Sequence, residues 1–221
     1  MPRTSQASAG VVLAQLRGAE RLLREFFNRD AVTVARELLG KLLIRREGRK
    51  LLAGRVVEDE AYLGQDDPAA HAYAGKTARN FVLFGPPGHA YVYFIYGNHY
   101  CLNVSCMTEG HGVLFRAMEP VFGVEAMARA RGLELPASPR ITELRMISRG
   151  PGRMSEALGI TRARDNDKDL TSRASDLWLA DDGFRPERIV ATPRIGITKA
   201  VEQPLRFAIA GNAYISGKKI R

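Results

Sequence analysis

The chain has 221 residues, of which 45% are apolar and 26% are charged, a balance typical of a globular protein. This composition excludes a wholly disordered chain, a collagen-like chain and a coiled coil, and no apolar run reaches the ~20 residues that cross a bilayer. The two cysteines cannot build a disulfide framework and fit a reducing compartment. We therefore expect one cytoplasmic domain over residues 19–221, preceded by a disordered tail over 1–18 without a secretion signal.

The net charge of +9 favours polyanions such as nucleic acid as partners. The charge is uneven, because residues 51–100 carry a net charge of −2 between basic segments. An enzyme that binds a polyanion through its basic ends and uses carboxylates from its middle segment for catalysis would have this charge distribution. Charge alone nevertheless favours the simpler interpretation, an ordinary basic surface in contact with solvent.

The N-terminal part of the sequence predicts two helices and a β-hairpin. The helices are expected over 19–28 and 31–39, and Asp30 is a suitable N-cap for the second. Apolar and β-branched residues over 41–46 and 51–64, separated by a short polar turn, predict the hairpin.

The middle of the chain predicts a long irregular segment and a second hairpin. Residues 65–89 are rich in Asp, Pro, Gly and Ala, and irregular segments of that length in a compact domain are usually functional. Aromatic and β-branched residues over 90–106 predict the hairpin, with Gly97-Asn98 as a two-residue turn. The remaining predicted elements are a strand at 112–118, helices at 123–131, 141–148 and 152–158, and strands near 176–180, 188–197 and 204–216. Because strands and helices are segregated, the pattern favours an α+β fold.

An acidic strand, residues 56–62, is the first candidate site. Alternation along a strand puts Glu58, Glu60 and Tyr62 on one face and Asp59 on the other. The pattern alone favours a solvated strand edge. The functional alternatives are a general base or a set of carboxylates that bind a metal ion.

Tyr96, at the predicted hairpin tip, is the second candidate. An aromatic residue at a turn has little core to enter, and in a basic protein it can act as a wedge between DNA base steps. For Tyr91, Tyr93 and Tyr100 in the same hairpin, a half-buried cross-strand aromatic ladder is the favoured interpretation.

His71 and Arg116 are more ambiguous. A single histidine after an acidic loop is more often a structural hydrogen-bonding residue than a catalyst. Arg116 lies in an apolar strand, where a structural ion pair and a role in positioning water or phosphate are equally reasonable.

Ordered motifs across residues 31–216 resemble the alkyladenine (3-methyladenine) DNA glycosylase family that is not built on the helix-hairpin-helix fold. The matching blocks are Glu60-Ala61-Tyr62-Leu63-Gly64, His71, Thr77-Ala78-Arg79-Asn80, Pro87-Gly88, Tyr91-Val92-Tyr93, Tyr96-Gly97, Cys101-Leu102-Asn103, residues 113–120, residues 150–160, Arg194-Ile195-Gly196-Ile197 and Pro204-Leu205-Arg206-Phe207. The resemblance implies a single α+β domain around a curved antiparallel sheet, from which a β-hairpin inserts into DNA.

The same resemblance implies the chemistry. Such an enzyme flips an alkylated or deaminated purine out of duplex DNA and hydrolyses its N-glycosidic bond, which begins base excision repair. It implies Glu60 as the general base and Arg116 as the residue that helps hold the attacking water. It also implies a base pocket of Tyr62, His71, Tyr93 and Asn103, a wedge at Tyr96, and DNA contacts from Thr77, Arg79, Asn80, Asn98 and His99.

We expect a monomer that acts on damaged double-stranded DNA without a cofactor or a metal ion. Lys76 is the single lysine over residues 51–167, and nothing near it suggests a lowered pKa, so we expect a monofunctional enzyme that leaves an abasic site. Asn98, His99, Leu83 and Tyr73 depart from the family pattern at the DNA surface and the loop, which leaves the lesion range open.

Two other functions remain possible from the sequence. A metal-dependent nuclease could hold Mg²⁺ with Glu58, Asp59, Glu60, Asp66 and Asp67. A non-catalytic nucleic-acid-binding domain would need only the basic surface and the aromatic hairpin.

Overall fold

The computed structural model describes Ala14, Leu16 and residues 18–95, 97–107 and 110–217. The expected tail over 1–18 therefore lies almost wholly outside the described residues, as does Tyr96. No helix within the described part of the chain is long and apolar enough to span a membrane.

The fold is α+β, with one open antiparallel sheet and short helices. The strands are β1 (Glu20–Arg21), β2 (Leu42–Glu47), β3 (Lys50–Leu63), β4 (Ala90–Ile95), β5 (His99–Ser105), β6 (His111–Phe122), β7 (Leu177–Asp181), β8 (Ile189–Thr192) and β9 (Arg206–Ile209). The helices are α1 (Arg24–Phe27), α2 (Ala31–Leu38), α3 (Val124–Ala130), α4 (Ile141–Ser148), α5 (Pro151–Ala157) and α6 (Arg162–Asp165), and 3-10 turns cover Gly64–Asp66 and Phe81–Phe84.

Strand β3 organises the sheet. The strand order is β1-β7-β2-β3-β6-β5-β4, and β9 pairs with both β3 and β8. One edge of β3 is shared, because Lys50–Arg55 pair with β2 whereas Glu58–Glu60 pair with β9. The other edge pairs with β6, which brings the acidic segment next to the strand that carries Arg116.

The pairing of β3 with β6 is irregular at the acidic segment. Val56 pairs with Met118, Glu58 with Ala117, and Asp59 with Phe115. The register therefore skips one residue on each strand. Bulges bend strands and re-aim side chains, and they recur next to active sites.

The main core lies where the helices cover the sheet. Val34, Ala35 and Leu38 of α2 are fully buried, together with Phe115 and Met118 of β6. Helices α3 and α5 contribute Met127, Ala128, Met154 and Ala157 to the same cluster. The cluster packs against β3 and β6 along their length and so fixes the two strands that carry the acidic segment and Arg116.

The structure confirms most predicted elements and corrects four. Residues 19–28 are not one helix, because Glu20 and Arg21 pair with β7 and only Arg24–Phe27 are helical. Strand pairing overrides local helix propensity there. The hairpin connection is also longer than predicted, since Ile95 pairs with His99 and three residues intervene.

The last two strands are shorter than predicted. Strand β8 ends at Thr192, before Pro193, which has no N–H for the ladder. Strand β9 ends at Ile209, and the following residues turn at Gly211, whose φ is +73°. Helix α6 was not predicted. Its Thr161 N-cap accepts a hydrogen bond from the Arg164 N–H, a signal that the sequence does contain.

Candidate active site

A cavity of about 760 Å³ opens where the ends of β3 and β6 meet the β4–β5 hairpin. Its other walls come from the loop at 68–71 and from residues 149–153 and 195–199. Ligand pockets typically enclose about 300–1,000 Å³, so the space suits a nucleotide-sized group.

The three carboxylates of the acidic strand are completely buried. Glu58, Asp59 and Glu60 are each 0% exposed, so the solvated strand edge that the pattern favoured is wrong. The predicted alternation is confirmed, because Arg116 bonds to both Glu58 and Glu60, and Tyr62 bonds to Glu60. What the sequence left open was which residues cover the strand.

Glu58 is held by a full set of donors. Its Oε1 accepts from Arg116 Nε at 3.1 Å, Arg206 Nε at 2.6 Å and Ser216 Oγ at 2.8 Å. The Ser216 N–H donates to the other oxygen. These four hydrogen bonds fix the Glu58 carboxylate in place, and the bond to Arg116 holds that side chain at the cavity wall.

Glu60 lies directly beneath the cavity wall. Its Oε1 accepts from the Ile195 N–H at 2.8 Å and pairs with Arg116 Nη1 at 3.1 Å, while Oε2 accepts from the Tyr62 hydroxyl at 3.0 Å. Tyr62, Arg116 and Ile195 all line the cavity. Three residues that line the cavity therefore bond directly to the Glu60 carboxylate.

Arg116 forms the structural ion pair that was one of the two interpretations of its place in the sequence. It forms ion pairs with Glu58 and Glu60, and it also lines the cavity. Burial disfavours the charged guanidinium, but the neighbouring Glu60 and Glu58 more than offset this, and the pKa of Arg116 is raised. The arginine thus remains a cation at the cavity floor.

Aromatic rings form one side of the cavity. His71 and Tyr93 meet edge to face with ring centroids 4.5 Å apart, and His71 Nδ1 is 2.9 Å from the Tyr91 hydroxyl. Asn103 lies below them and donates its amide to the Tyr91 carbonyl at 3.1 Å. Tyr62, His71, Tyr93 and Asn103 all line the same cavity.

The protonation states of this side of the cavity follow from burial. Burial and the nearby charge of Arg79 lower the pKa of His71, which keeps the imidazole neutral at neutral pH. Burial, and then the neighbouring Glu60, raise the pKa of the Tyr62 hydroxyl, so it stays a donor to that carboxylate. Burial also raises the pKa of Tyr93.

Comparison with known proteins identifies the relatives of this chain. A sequence profile of the methylpurine-DNA glycosylase family matches residues 25–213. The chain belongs to this family. A protein of Koribacter versatilis is 59% identical over 221 residues, which cover 99% of both chains.

Two further relatives come from other organisms. Proteins of Burkholderia cenocepacia and Methanoculleus marisnigri are 48% and 49% identical to this chain, over 88% and 86% of it and over 90% and 96% of their own lengths. All three relatives carry the provisional name 3-methyladenine DNA glycosylase. The resemblance that the motifs indicated is thereby confirmed.

Within this glycosylase family member, the Thr77–Asn80 motif shapes the loop. Asn80 is 2% exposed, and its amide donates to the carbonyls of His71 and Gly75 at 2.8 and 3.0 Å. Its oxygen accepts from the Thr77 N–H and hydroxyl. The structure therefore places Asn80 inside the loop that carries His71, and not on the expected DNA-contacting surface. Arg79 is exposed, with its guanidinium 5.9 Å from the Tyr93 ring centroid.

The hairpin residues are split between the cavity and the surface. His99 lines the cavity, whereas Asn98 is exposed. The role predicted for Tyr96 lies outside the described residues.

The sequence analysis assigned no role to several residues around the cavity. Arg149, Arg153 and Lys199 line it, and no carboxylate does so among the described residues. The Ile195 N–H reaches Glu60 from 135 positions away in the sequence. The block Arg194–Ile197 was the available signal, but local pattern gives no reason to place it against the acidic strand.

The acidic residues of the nuclease alternative do not converge. Glu58 and Glu60 are both paired with Arg116, and Asp67 is bound to Arg194. In the described ranges, no group of three or more His, Cys, Asp or Glu side chains is arranged to hold a metal ion.

Proposed function

We propose that this chain is a monofunctional DNA glycosylase that removes damaged purines, with 3-methyladenine as the representative substrate. It would act as a monomer, flip the base into the cavity and hydrolyse the N-glycosidic bond, leaving an abasic site. The observation that carries this proposal is the aromatic cavity directly above the Glu60–Arg116 pair.

Glu60 is proposed as the general base that activates water. An ionised carboxylate offers about four acceptor positions, and three at Glu60 are filled by Ile195, Arg116 and Tyr62. Of these three donors, Ile195 and Arg116 bond to Oε1 and Tyr62 bonds to Oε2. The remaining position is therefore on Oε2. A water there would donate to Glu60 while Arg116 helps to position it.

The reaction itself requires an anion at this place. Breaking the glycosidic bond builds positive charge on the sugar, as in glycoside hydrolysis. Glu60 accepts the proton of the attacking water and stabilises that charge. The neighbouring Glu58 keeps Arg116 in place, because it is bound independently by Arg206 and Ser216.

The aromatic wall supports binding of a flipped purine. Tyr62 and Tyr93 would stack on the base, and an alkylated purine cation is attracted to electron-rich rings. The neutral His71 would hydrogen-bond the edge of the base, and Asn103 would lie beneath it. Flipping costs a few kcal/mol and less at a damaged base, which adds selectivity. Insertion of Tyr96 into the vacated stack remains a prediction.

Charge around the cavity supports a DNA substrate. Arg149, Arg153 and Lys199 line the cavity without a lining carboxylate in the described ranges, so phosphates can approach. Arg79, Thr77, Asn98 and His99 are proposed to contact the same DNA. Lys199 is exposed, whereas nucleophilic lysines lie in desolvated pockets or beside other cations, which favours water as the nucleophile.

Single-turnover base release tests the proposal. Duplexes carrying hypoxanthine, and separately methylated DNA, are incubated with wild type and Glu60→Gln in EDTA. We expect wild type to release base, and Glu60→Gln to lose about 10²–10⁴-fold in rate because the general base is gone. Glu25→Gln, an exposed glutamate, is the matched control and should behave as wild type.

Each alternative function gives a different result. A metal-dependent nuclease would cut the backbone and lose activity in EDTA. A binding domain would bind duplex DNA and release no base from either substrate. Base release by Glu60→Gln at the wild-type rate would remove Glu60 from the mechanism.

A further inference from the structure

We infer that the buried Arg194–Asp67 ion pair is a positioning pair for the active site. It would hold the Tyr62 ring and the backbone N–H that binds Glu60 in a single arrangement. This inference rests on the proposed function, since it assigns a role in the same base-excision reaction to two residues outside the cavity.

The pair is unusually buried for two charged side chains. Both are 0% exposed, and the guanidinium meets the carboxylate through two parallel bonds, with Arg194 Nη2 2.9 Å from Asp67 Oδ1 and Arg194 Nη1 bonded to Oδ2. Desolvation makes such a pair a poor source of net stability compared with apolar packing. Its geometric effects are therefore of more interest than its contribution to folding.

Asp67 ties the cavity loop to the end of β3. Its Oδ2 accepts from the Leu63 N–H at 3.3 Å, and its Oδ1 accepts from the Ala69 N–H at 3.0 Å. Leu63 follows Tyr62 on the strand, and Ala69 lies on the cavity wall two positions before His71. The Asp67 carboxylate thus bonds both to the end of β3, which carries Tyr62, and to the loop that carries His71.

Arg194 supports Tyr62 from the protein side. Its guanidinium carbon is 4.6 Å from the centroid of the Tyr62 ring, and Nη1 donates to the Ala61 carbonyl at 3.0 Å. Tyr62 lines the cavity, whereas the Arg194 side chain is wholly buried and does not. The ring is therefore packed between the guanidinium and the space proposed for the base.

The next residue carries the link to the general base. Ile195 N–H donates to Glu60 Oε1 at 2.8 Å, and residues 195–199 continue along the cavity wall. Since Arg194 is fixed by four bonded or stacking contacts, the adjacent peptide is fixed as well. A shift of Arg194 would displace the Tyr62 ring and a Glu60 donor together.

The test separates geometry from charge with two substitutions. Arg194→Lys keeps the positive charge but loses the planar, two-pronged contact with Asp67 and the stack on Tyr62. Arg194→Met loses the positive charge as well as these two contacts. Arg185, which is exposed, meets Asp181 with the same two-pronged geometry, so Arg185→Lys and Arg185→Met are matched controls.

We expect both Arg194 variants to lose about 10²-fold in single-turnover base release, because small misplacements near reacting groups have effects of that size. Saturating enzyme is used, and binding of duplex DNA that carries an abasic site should change little.

Three results would overturn the inference. Arg194→Lys with the wild-type rate would remove the geometric role. Rate losses that only follow the folded fraction, measured by circular dichroism and thermal melting, would leave the pair structural. Equal losses in the Arg185 controls would show a general charge effect. If wild type itself releases no base, the proposed function fails first, and that outcome is distinct from all three.

Discussion

Asp59 differs from its two acidic neighbours in its environment. Glu58 and Glu60 are surrounded by donors, whereas neither oxygen of Asp59 has a hydrogen-bond partner among the described residues. Burial, and then the charges of Glu58 and Glu60, raise the pKa of Asp59 well above its ordinary value. The folded protein therefore favours the neutral, protonated form of Asp59.

This carboxyl group should make stability depend on pH. In the unfolded chain an aspartate ionises near pH 3.9, whereas in the folded protein Asp59 stays protonated well above that. The folded state thus binds one more proton than the unfolded state, and stability falls as pH rises from ~4 towards the folded pKa. The slope is at most about 1.4 kcal/mol per pH unit.

Replacing Asp59 by Asn should remove that slope. Urea denaturation at pH 5, 6 and 7 measures the free energy of unfolding, and the advantage of Asp59→Asn over wild type should grow with pH. Asp66→Asn, at an exposed position beside the same loop, is the control and should run parallel to wild type. Parallel curves for Asp59→Asn would mean that Asp59 is ionised in the folded protein.

At the level of elements, the contact between α5 and β5 positions the hairpin. A Cβ atom at Gly152 would lie 2.8 Å from His99 Cγ and 2.9 Å from His99 Cβ. His99 is the first residue of β5 and lines the cavity. The absence of a side chain at Gly152 is therefore what lets the helix approach the hairpin so closely.

Gly152→Ala should displace the hairpin and weaken DNA binding. Overpacking of this kind costs about 1–3 kcal/mol, and we expect the strain to displace His99 at the start of β5, because the added Cβ would lie against its side chain. Fluorescence anisotropy with an abasic-site duplex measures the affinity. Gly18→Ala, where a Cβ meets nothing within 4 Å, is the control. An unchanged dissociation constant for Gly152→Ala would contradict this account.

The sequence predicts elements well where the signal is local. Alternation and turn residues located β2 to β6, and Asp30 marked the start of α2, where its side chain accepts from the Thr33 N–H. The failures are non-local. The first residues of segment 19–28 pair with β7 instead of forming a helix. The cations that cover the acidic strand come from as far as 148 positions away in the sequence. A strand pattern cannot show what covers it.

The candidate site was predictable to a similar degree. Motif resemblance selected Tyr62, His71, Tyr93 and Asn103, and these do line one cavity. It did not reveal that Asn80 is internal. It also gave no role to Arg194, because its contacts with Asp67 and Ala61 span 127 and 133 positions.

For the whole molecule, the distribution of charge should govern DNA binding. The chain carries a net charge of +9, and the lining of the cavity contains cations but no carboxylate among the described residues. Phosphate contacts release counterions, so affinity falls steeply as salt rises. The logarithm of the association constant should decrease linearly with the logarithm of the salt concentration.

The salt dependence of DNA binding can also test a single cavity-lining cation, Arg153. Arg153→Gln removes a charge at the cavity wall, and the slope should become shallower by about 1 if it contacts one phosphate. Arg129→Gln, at an exposed position on α3 outside the cavity lining, should leave the slope unchanged. Binding of an undamaged duplex is measured at several salt concentrations. Equal slopes for wild type and Arg153→Gln would show that Arg153 contacts no phosphate and that the DNA backbone passes elsewhere.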